Sequence, residues 1–235
     1  MNDSNIKLTV SASKSMRLIL YIFTALILFN FTGIYLKFFL GHDTAWGLIR
    51  MFNLDLENNI PTYFSSFLLL IVALQLYVLS LAKNKHNETF AWHWLSLSII
   101  FLCLSIDEAA SIHELLIIPL RNTFGLSGIF YYSWVIIGMG VVFFLGVTYW
   151  RFLCALPART KSNFLLAAAI YVGGAIGIEL LGGYYISQTI THDLTYNLIT
   201  SLEEILELGG VIIFIHALFE FIISNKLNFQ ININE

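Results

Sequence analysis

Charged residues are scarce in this sequence. Aspartate, glutamate, lysine and arginine make up 11% of its 235 residues, whereas a soluble globular domain carries roughly 25%. Hydrophobic residues account for 58% of the chain, and the mean hydropathy is +0.78. This composition fits a water-soluble globular protein poorly and indicates an integral membrane protein.

Proline, cysteine and basic clusters are also rare. With three prolines and no low-complexity tract there is no sign of a linker, so we predict a single membrane domain over residues 1–235. The two cysteines, Cys103 and Cys154, form no CxxC pair and fall at different predicted depths, so we expect no disulfide. The sequence has no basic patch of the kind that binds nucleic acid.

Long apolar runs dominate the rest of the sequence. Each run could cross a hydrocarbon core of about 30 Å as a helix, which predicts an all-α bundle of six transmembrane helices. Residues 42–60, between the first two runs, mix aromatic, aliphatic and acidic side chains, which predicts a short helix lying in the membrane interface. The predicted spans are about 18–40, 61–82, 90–116, 128–152, 163–186 and 194–223.

Lysine and arginine predict the orientation of the bundle. With the N-terminus in the cytoplasm, nine of them lie on the inner side and three on the outer side, which agrees with the positive-inside rule. We therefore expect both termini in the cytoplasm. The inner residues are Lys7, Lys14, Arg17, Lys83, Lys85, Arg151, Arg159, Lys161 and Lys226, and the outer ones are Lys37, Arg50 and Arg121.

Acidic residues interrupt three of the apolar runs. Residues 105–114 read Ser-Ile-Asp-Glu-Ala-Ala-Ser-Ile-His-Glu, the fifth run holds Glu179, and the sixth holds Glu203, Glu204 and Glu207. Because hydrocarbon solvates charge poorly, ionisable residues inside a span mark a functional site by default.

The spacing predicts that these acids share one depth. Asp107 follows Trp92 by 15 residues, which is about 22 Å of helix, and Glu179 follows Asn163 by 16. The sixth span runs inward, so its three glutamates also fall in the outer half. Seven carboxyl groups at one depth, with no lysine or arginine beside them, must share protons or bind a cation.

The residue types in this cluster suit a divalent transition metal. Carboxylates with histidine are ligands for iron, manganese or zinc, and a spare carboxylate could serve as general base. Segment 42–60 would then form a lid or a surface for lipid access. The predicted metal ligands are Asp107, His113, Glu114, Glu179, Glu203 and Glu207, and the predicted catalytic carboxylates are Glu204 and Glu108.

Simpler interpretations of the same residues remain open. The third helix could end at Ile106 and leave its acids in water, and the glutamates of the sixth span could be solvated in the same way. Glu179 could be a protonated group that bonds a neighbouring helix. His42 and His192, in outer loops, fit ordinary loop histidines better than ligands.

The acidic helices partly resemble those of carboxylate-bridged di-metal proteins, although the Glu-x-x-His pairs of those families are absent here. Over most of its length the chain resembles a family of uncharacterised six-span bacterial membrane proteins. The resemblance rests on Asn59-Ile-Pro-Thr62, on residues 105–114 and on Glu203-Glu-x-x-Glu207. It implies the bacterial inner (plasma) membrane and no particular activity.

Three functions are compatible with this pattern. The first is a metal-dependent enzyme embedded in the bilayer, acting from the outer face on a lipid or small molecule. The second is a cation or proton-coupled transporter, although the inner half holds only His216 and Glu220 as ionisable groups and the chain shows no internal repeat. The third is an accessory subunit of a membrane complex.

Overall fold

The computed structural model describes residues 11–85 and 89–227, and these residues form helices joined by short turns. Lys7, which supports the orientation argument, lies outside the described residues, and the orientation stays a prediction. The predicted all-α class is confirmed, because six helices are long and apolar enough to cross a membrane. They are α1 (Ala12–Phe39), α3 (Ile60–Lys85), α4 (Ala91–Ala110), α6 (Val135–Ala155), α7 with α8 (Ala158–Thr189) and α9 (Leu194–Ser224).

Two shorter helices and the parts of the fifth span complete the set of labels. Helix α2 (Leu48–Phe52) and helix α5 (Ile117–Phe124) are not spans. The fifth span consists of α7 (Ala158–Val172), a π-helical turn (Gly173–Ile178) and α8 (Glu179–Thr189).

Four predicted boundaries differ from the structure by five or more residues. The first and fifth spans begin at Ala12 and Ala158 rather than near 18 and 163, and the third and fourth spans differ at the outer end. Helix α4 ends at Ala110 rather than near 116, because Ser111 adopts a left-handed conformation (φ 50°, ψ 42°) and the chain turns back. The apolar residues that follow, which extended the predicted span, instead form a 3₁₀ turn (His113–Leu116) and α5. Asp107 and Glu114 therefore do not lie on one helix. The fourth span begins at Val135, not near 128.

Helices α3 and α9 form the centre of the bundle. On α3, Leu68, Val72 and Leu76 are fully buried, and Ile215 and Leu218 of α9 are equally inaccessible. Buried leucine, isoleucine and valine of this kind hold helices together through close van der Waals packing.

Helices α3 and α4 stop short of the other helices at the end of the bundle predicted to face outward. Trp94 and Phe101 of α4 contact Phe221 and Phe214 of α9, each with ring centroids 5.1 Å apart. This antiparallel register puts the end of α4 level with residue 205, about 16 Å below the first residue of α9.

Helix α3 begins at the same level as the end of α4. The Ser66 and Ser105 hydroxyls donate to each other's backbone carbonyls at 2.7 and 2.8 Å, and the Ser98 hydroxyl donates to the Ala73 carbonyl at 2.8 Å. Because α1, α8 and α9 continue past this level, the outer end contains a hollow. We call it the recess.

Two non-spanning segments, residues 41–59 and 111–134, fill the recess. The Leu54 N–H donates to Asn30 Oδ1 at 3.1 Å, and the Phe52 ring stacks on Phe29 at 4.6 Å. Asn30 lies nine residues before the end of α1, or about 13 Å below it. The first segment contains the expected short helix, α2, but it descends into the bundle instead of lying along the interface.

Candidate functional site

Helix α9 brings three glutamates to the floor of the recess. Glu203, Glu204 and Glu207 lie in its first half, where the register with α4 puts Glu207 level with Glu108. Glu203 is only 8% exposed. Glu204 and Glu207 are electrostatic neighbours of each other and of Glu108. The predicted shared depth of these acids on two helices is therefore present in the structure.

Glu179, the first residue of α8, completes the floor from a third helix. The Trp134 indole N–H donates to Glu179 Oε1 at 2.9 Å, and the carboxyl groups of Glu179 and Glu203 are in hydrogen-bonding contact. A hydrogen bond between two carboxyl groups requires a proton on one of them.

A π-helical turn and a close helix contact position Glu179. The π-helical turn Gly173–Ile178 directly precedes it, and such turns are frequent at functional sites. A Cβ at Gly174 would lie 2.8 Å from the Glu203 carbonyl oxygen and 3.1 Å from Glu207 Cγ. Glycine therefore lets the two acidic helices approach closely.

Asp107 and His113 form a hydrogen-bonded pair at the end of α4. The His113 backbone N–H donates to Asp107 Oδ1 at 2.9 Å, and His113 Nδ1 bonds Asp107 Oδ2, also at 2.9 Å. An ionised carboxylate only accepts, so Nδ1 carries the proton and Nε2 remains as the free ring acceptor. Both oxygens of Asp107 are occupied by His113.

The surroundings of His113 link it to the floor of the recess. Its ring lies 4.9 Å from the Trp134 ring, whose indole bonds Glu179. Burial pushes the pKa of His113 down, but the hydrogen bond and negative charge of Asp107 outweigh it, so the pKa is raised above its ordinary value. Glu108 and Glu114 add to that effect.

Sequence reasoning missed two acidic residues of the site, Asp55 and Glu57. They descend with the first recess segment, where Asp55 lies beside Thr200, and Glu57 lies beside Ser111 and Thr62. Burial raises the pKa of both carboxyls. Their place beside the Asn-Ile-Pro-Thr motif, on the predicted outer side, was the available signal, but the interface-helix interpretation placed them away from the cluster.

Glu57 also contains an unsatisfied atom. Its Oε2 is buried without a hydrogen-bond partner among the residues that the structure describes. A buried carboxylate oxygen without a partner is costly, so a cation beside Glu57 would be stabilised by it. The electrostatic neighbours of this carboxylate include His113 and four glutamates: Glu108, Glu114, Glu204 and Glu207.

The structure thus assembles most of the predicted site residues, with two qualifications. Glu114 is exposed at the edge, although it is an electrostatic neighbour of His113 and Glu57. Within residues 11–85 and 89–227, no group of three or more His, Cys, Asp or Glu side chains is arranged to hold a metal ion. The site, which we call the acidic cluster, comprises Asp55, Glu57, Asp107, Glu108, His113, Glu114, Glu179, Glu203, Glu204 and Glu207.

The two loop histidines, His42 and His192, lie in different loops, and only His192 neighbours a residue of the cluster. The His192 ring lies 4.5 Å from that of Tyr196, and His192 is an electrostatic neighbour of Asp55. His42 is exposed. Neither observation assigns a ligand role to either histidine.

Comparison with known protein families gives a match over most of the chain. A family model described as "Domain of unknown function (DUF8692)" matches residues 19–221, a range that includes every residue of the acidic cluster. No curated protein and no solved structure matches the chain.

Proposed function

The chain belongs to the family described as a domain of unknown function, DUF8692, and we propose that it is a metal-dependent enzyme embedded in the membrane. The observation that carries the proposal is the convergence of carboxyl groups from α4, α8, α9 and segment 41–59 around one histidine. Such a concentration of negative charge in a membrane bundle favours a bound cation. Carboxylates with one imidazole suit iron, manganese or zinc.

The contacts refine the ligand set that the sequence predicts. His113 would bind through Nε2, with Glu179, Glu203 and Glu207 as carboxylate ligands. Asp107 holds His113 through both of its oxygens, which is the usual role of a carboxylate behind a metal-bound histidine. Glu114 is left out because its side chain is exposed.

Ion binding would require side-chain rotation, since the present arrangement does not coordinate a metal. Ionised carboxylates repel one another until a cation neutralises them. A glutamate has three rotatable bonds, so Glu207 can turn without movement of α9. Binding would also displace the proton that the raised pKa of His113 favours, so the metal affinity should decrease as the pH is lowered.

The remaining carboxylates would serve catalysis. A bound divalent metal polarises a substrate oxygen or activates water. Glu204 and Glu108, which neighbour Glu207, are the candidates for the general base that accepts a proton from that water.

The packing below the cluster favours an enzyme over a transporter. Inward from Glu207, α9 buries Leu208, Val211, Ile215 and Leu218, each at most 3% exposed. A transported cation would have to pass this apolar layer, which offers it no ligands. A catalytic site that opens on one side needs no such passage.

Metal analysis of purified variants tests the proposal. Glu207→Gln removes an anionic ligand, whereas Glu220→Gln is a matched control on the same helix, about 20 Å away, where Glu220 bonds Arg159 at 2.6 Å. We expect stoichiometric transition metal in wild type and E220Q, and at least a tenfold loss in E207Q, with all three folded. Metal-free wild type, or E207Q with normal metal, would contradict the proposal. Metal-free protein that conducts cations in vesicles would establish the transporter instead.

A further inference from the structure

Tyr171, near the end of α7, differs from the other tyrosines of the bundle interior. A buried tyrosine hydroxyl usually finds a hydrogen-bond partner. Within the described ranges, the Tyr171 hydroxyl makes no such bond. Four other tyrosines that are partly or fully buried do have a side-chain partner: Tyr132 and Tyr196 bond each other, Tyr149 bonds Ser96, and Tyr185 donates to Asp193.

A water molecule can nevertheless reach the Tyr171 hydroxyl. In residues 11–85 and 89–227, the fully buried polar side-chain atoms that lack a partner belong to Glu57, Gln75 and His93. The Tyr171 hydroxyl is not among them, and the residue is partly exposed although protein surrounds it on all sides. The hydroxyl therefore faces a space inside the bundle that is large enough for a water molecule.

This space borders the acidic cluster. Glu204 and Glu207 are likewise surrounded by protein and yet partly exposed. Tyr171 has four carboxyl groups as electrostatic neighbours, first Glu207, then Glu108, Glu204 and Asp107. The hydroxyl thus lies on the side of the cluster that contains the proposed ligand Glu207 and the two proposed general bases.

Close packing against α9 fixes the position of Tyr171. Its backbone nitrogen and Cβ lie against Gly210, where an added Cβ would be 2.7 Å from each of them. Gly210 is about one turn of α9 from Glu207, and the π-helical turn that leads to Glu179 begins two residues after Tyr171. A side chain held on packed helices positions a bound group more precisely than one on a loop.

We infer that Tyr171 binds the substrate, with its hydroxyl donating a hydrogen bond to a substrate oxygen beside Glu207. The inference rests on the proposed function and adds a neutral donor to a site that otherwise consists of carboxyl groups and one histidine. A phenolic O–H is a donor in its ordinary protonation state. Since this hydroxyl has no acceptor in the described protein, a substrate oxygen can accept from it without breaking a protein hydrogen bond.

The position of the donor indicates the reacting group of the substrate. A carbonyl oxygen has two lone pairs, so it can accept from Tyr171 while a metal held by Glu207 polarises it. Negative charge that develops on this oxygen in the transition state would be stabilised by a donor already in place. The substrate class is therefore a carbonyl compound, such as an ester or an amide.

Thermal unfolding tests whether the hydroxyl has a structural role instead. Tyr171→Phe keeps the ring and removes an unpaired hydroxyl, which breaks no hydrogen bond within the protein. We expect the melting temperature of Y171F to equal or exceed that of wild type in the same detergent. The control is Tyr184→Phe on α8, where Tyr184 is 53% exposed. A melting temperature of Y171F below that of Y184F, or a failure of Y171F to fold, would overturn the inference.

A binding measurement tests the donor itself. Cobalt(II) is the probe metal, because its visible absorption changes with its ligands, and acetohydroxamate is the probe ligand, because it presents a carbonyl oxygen to a metal. We expect cobalt-loaded Y171F to bind acetohydroxamate at least fivefold more weakly than wild type and Y184F, the effect of one lost hydrogen bond. A smaller difference would overturn the inference.

The cobalt content of the same samples separates the inference from the proposed function. Equal cobalt in the three proteins, with weaker acetohydroxamate binding by Y171F alone, supports both. Cobalt-loaded wild type that does not bind acetohydroxamate overturns the inference and leaves the metal site standing, and so does loss of cobalt from Y171F alone, which would assign the hydroxyl to metal binding. Wild type that binds no cobalt overturns the proposed function and the inference with it.

Discussion

The contact between α9 and α7 makes Gly210 intolerant of even one added methyl group. A Cβ at this position would lie 2.7 Å from both Cβ and the backbone nitrogen of Tyr171, and 2.9 Å from the Ala167 carbonyl oxygen. Non-bonded carbon atoms rest at about 3.5–4.0 Å. Since two of the three opposing atoms are backbone, only separation of the helices, by about 1 Å, relieves the clash.

We expect Gly210→Ala to destabilise the protein by about 3 kcal/mol, the upper part of the usual range for overpacking. The same separation would reach Gly174, which sits against Glu203 and Glu207 one helical turn away. The contact between Glu179 and Glu203 would lengthen as a result. Retained metal should therefore fall together with stability.

The adjacent glycine provides the control. A Cβ at Gly209 would have no neighbour within 4 Å, and alanine is a better helix former than glycine by about 1 kcal/mol. Gly209→Ala should therefore leave the melting temperature unchanged or slightly raised. Thermal unfolding of the three proteins in one detergent measures both effects. If G210A and G209A have the same melting temperature, α7 and α9 do not pack as closely as the structure shows.

Two further predictions follow from single hydrogen bonds. Trp134→Phe keeps an aromatic ring but removes the donor to Glu179, so it should lower the free energy of unfolding by about 1 kcal/mol and weaken metal retention. Trp150→Phe, at a 63% exposed position, is the control and should do neither. Equal stability and metal content of the two variants would argue against the Glu179 contact. The Tyr185 hydroxyl holds the pKa of Asp193 below its ordinary value of 3.8, so the stabilisation is present above that value and lost as pH falls through the lower, folded-state pKa. The melting temperature of Asp193→Asn should accordingly be lower than that of wild type at pH 7 and equal to it in strong acid. A difference in melting temperature that persists in acid would contradict this prediction.

Counting residues along each predicted span placed the acids of different helices at the correct relative depth, because an α-helix rises by a fixed distance per residue. Glu179 and Glu203, 24 residues apart in sequence, were predicted at one depth, and their carboxyl groups are in contact. The arithmetic needs only the start of each span and its direction. It succeeds for Glu179 although a π-helical turn interrupts the fifth span.

The predicted end of the third span was wrong because a side chain ends the helix early. Asp107 bonds both the backbone N–H and the ring of His113, six residues later, and this local bond competes with continuation of α4. The hydrophobic pattern of the sequence does not reveal such a bond, because residues 115–120 remain apolar whether or not the helix continues. The descent of segment 41–59 was missed for a similar reason, since it depends on Asn30, far away in the first span.

The recess concentrates backbone strain that the rest of the bundle must offset. Non-helical backbone at membrane depth persists only where protein groups or water satisfy it, and here Asn30 satisfies Leu54 while the Ser133 hydroxyl donates to the Ile117 carbonyl. Left-handed residues cost of order 1 kcal/mol or more unless they are glycine. Within the described ranges, eight of the ten residues with positive φ lie in the two recess segments: Gly41, Ala45, Trp46, Gly47, Asn58, Ser111, Gly125 and Gly128. A bundle selected for stability alone would extend α3 and α4 to full length. Shortened helices, strained segments and clustered carboxyl groups in the same place are therefore best explained by a site that the fold is built to hold.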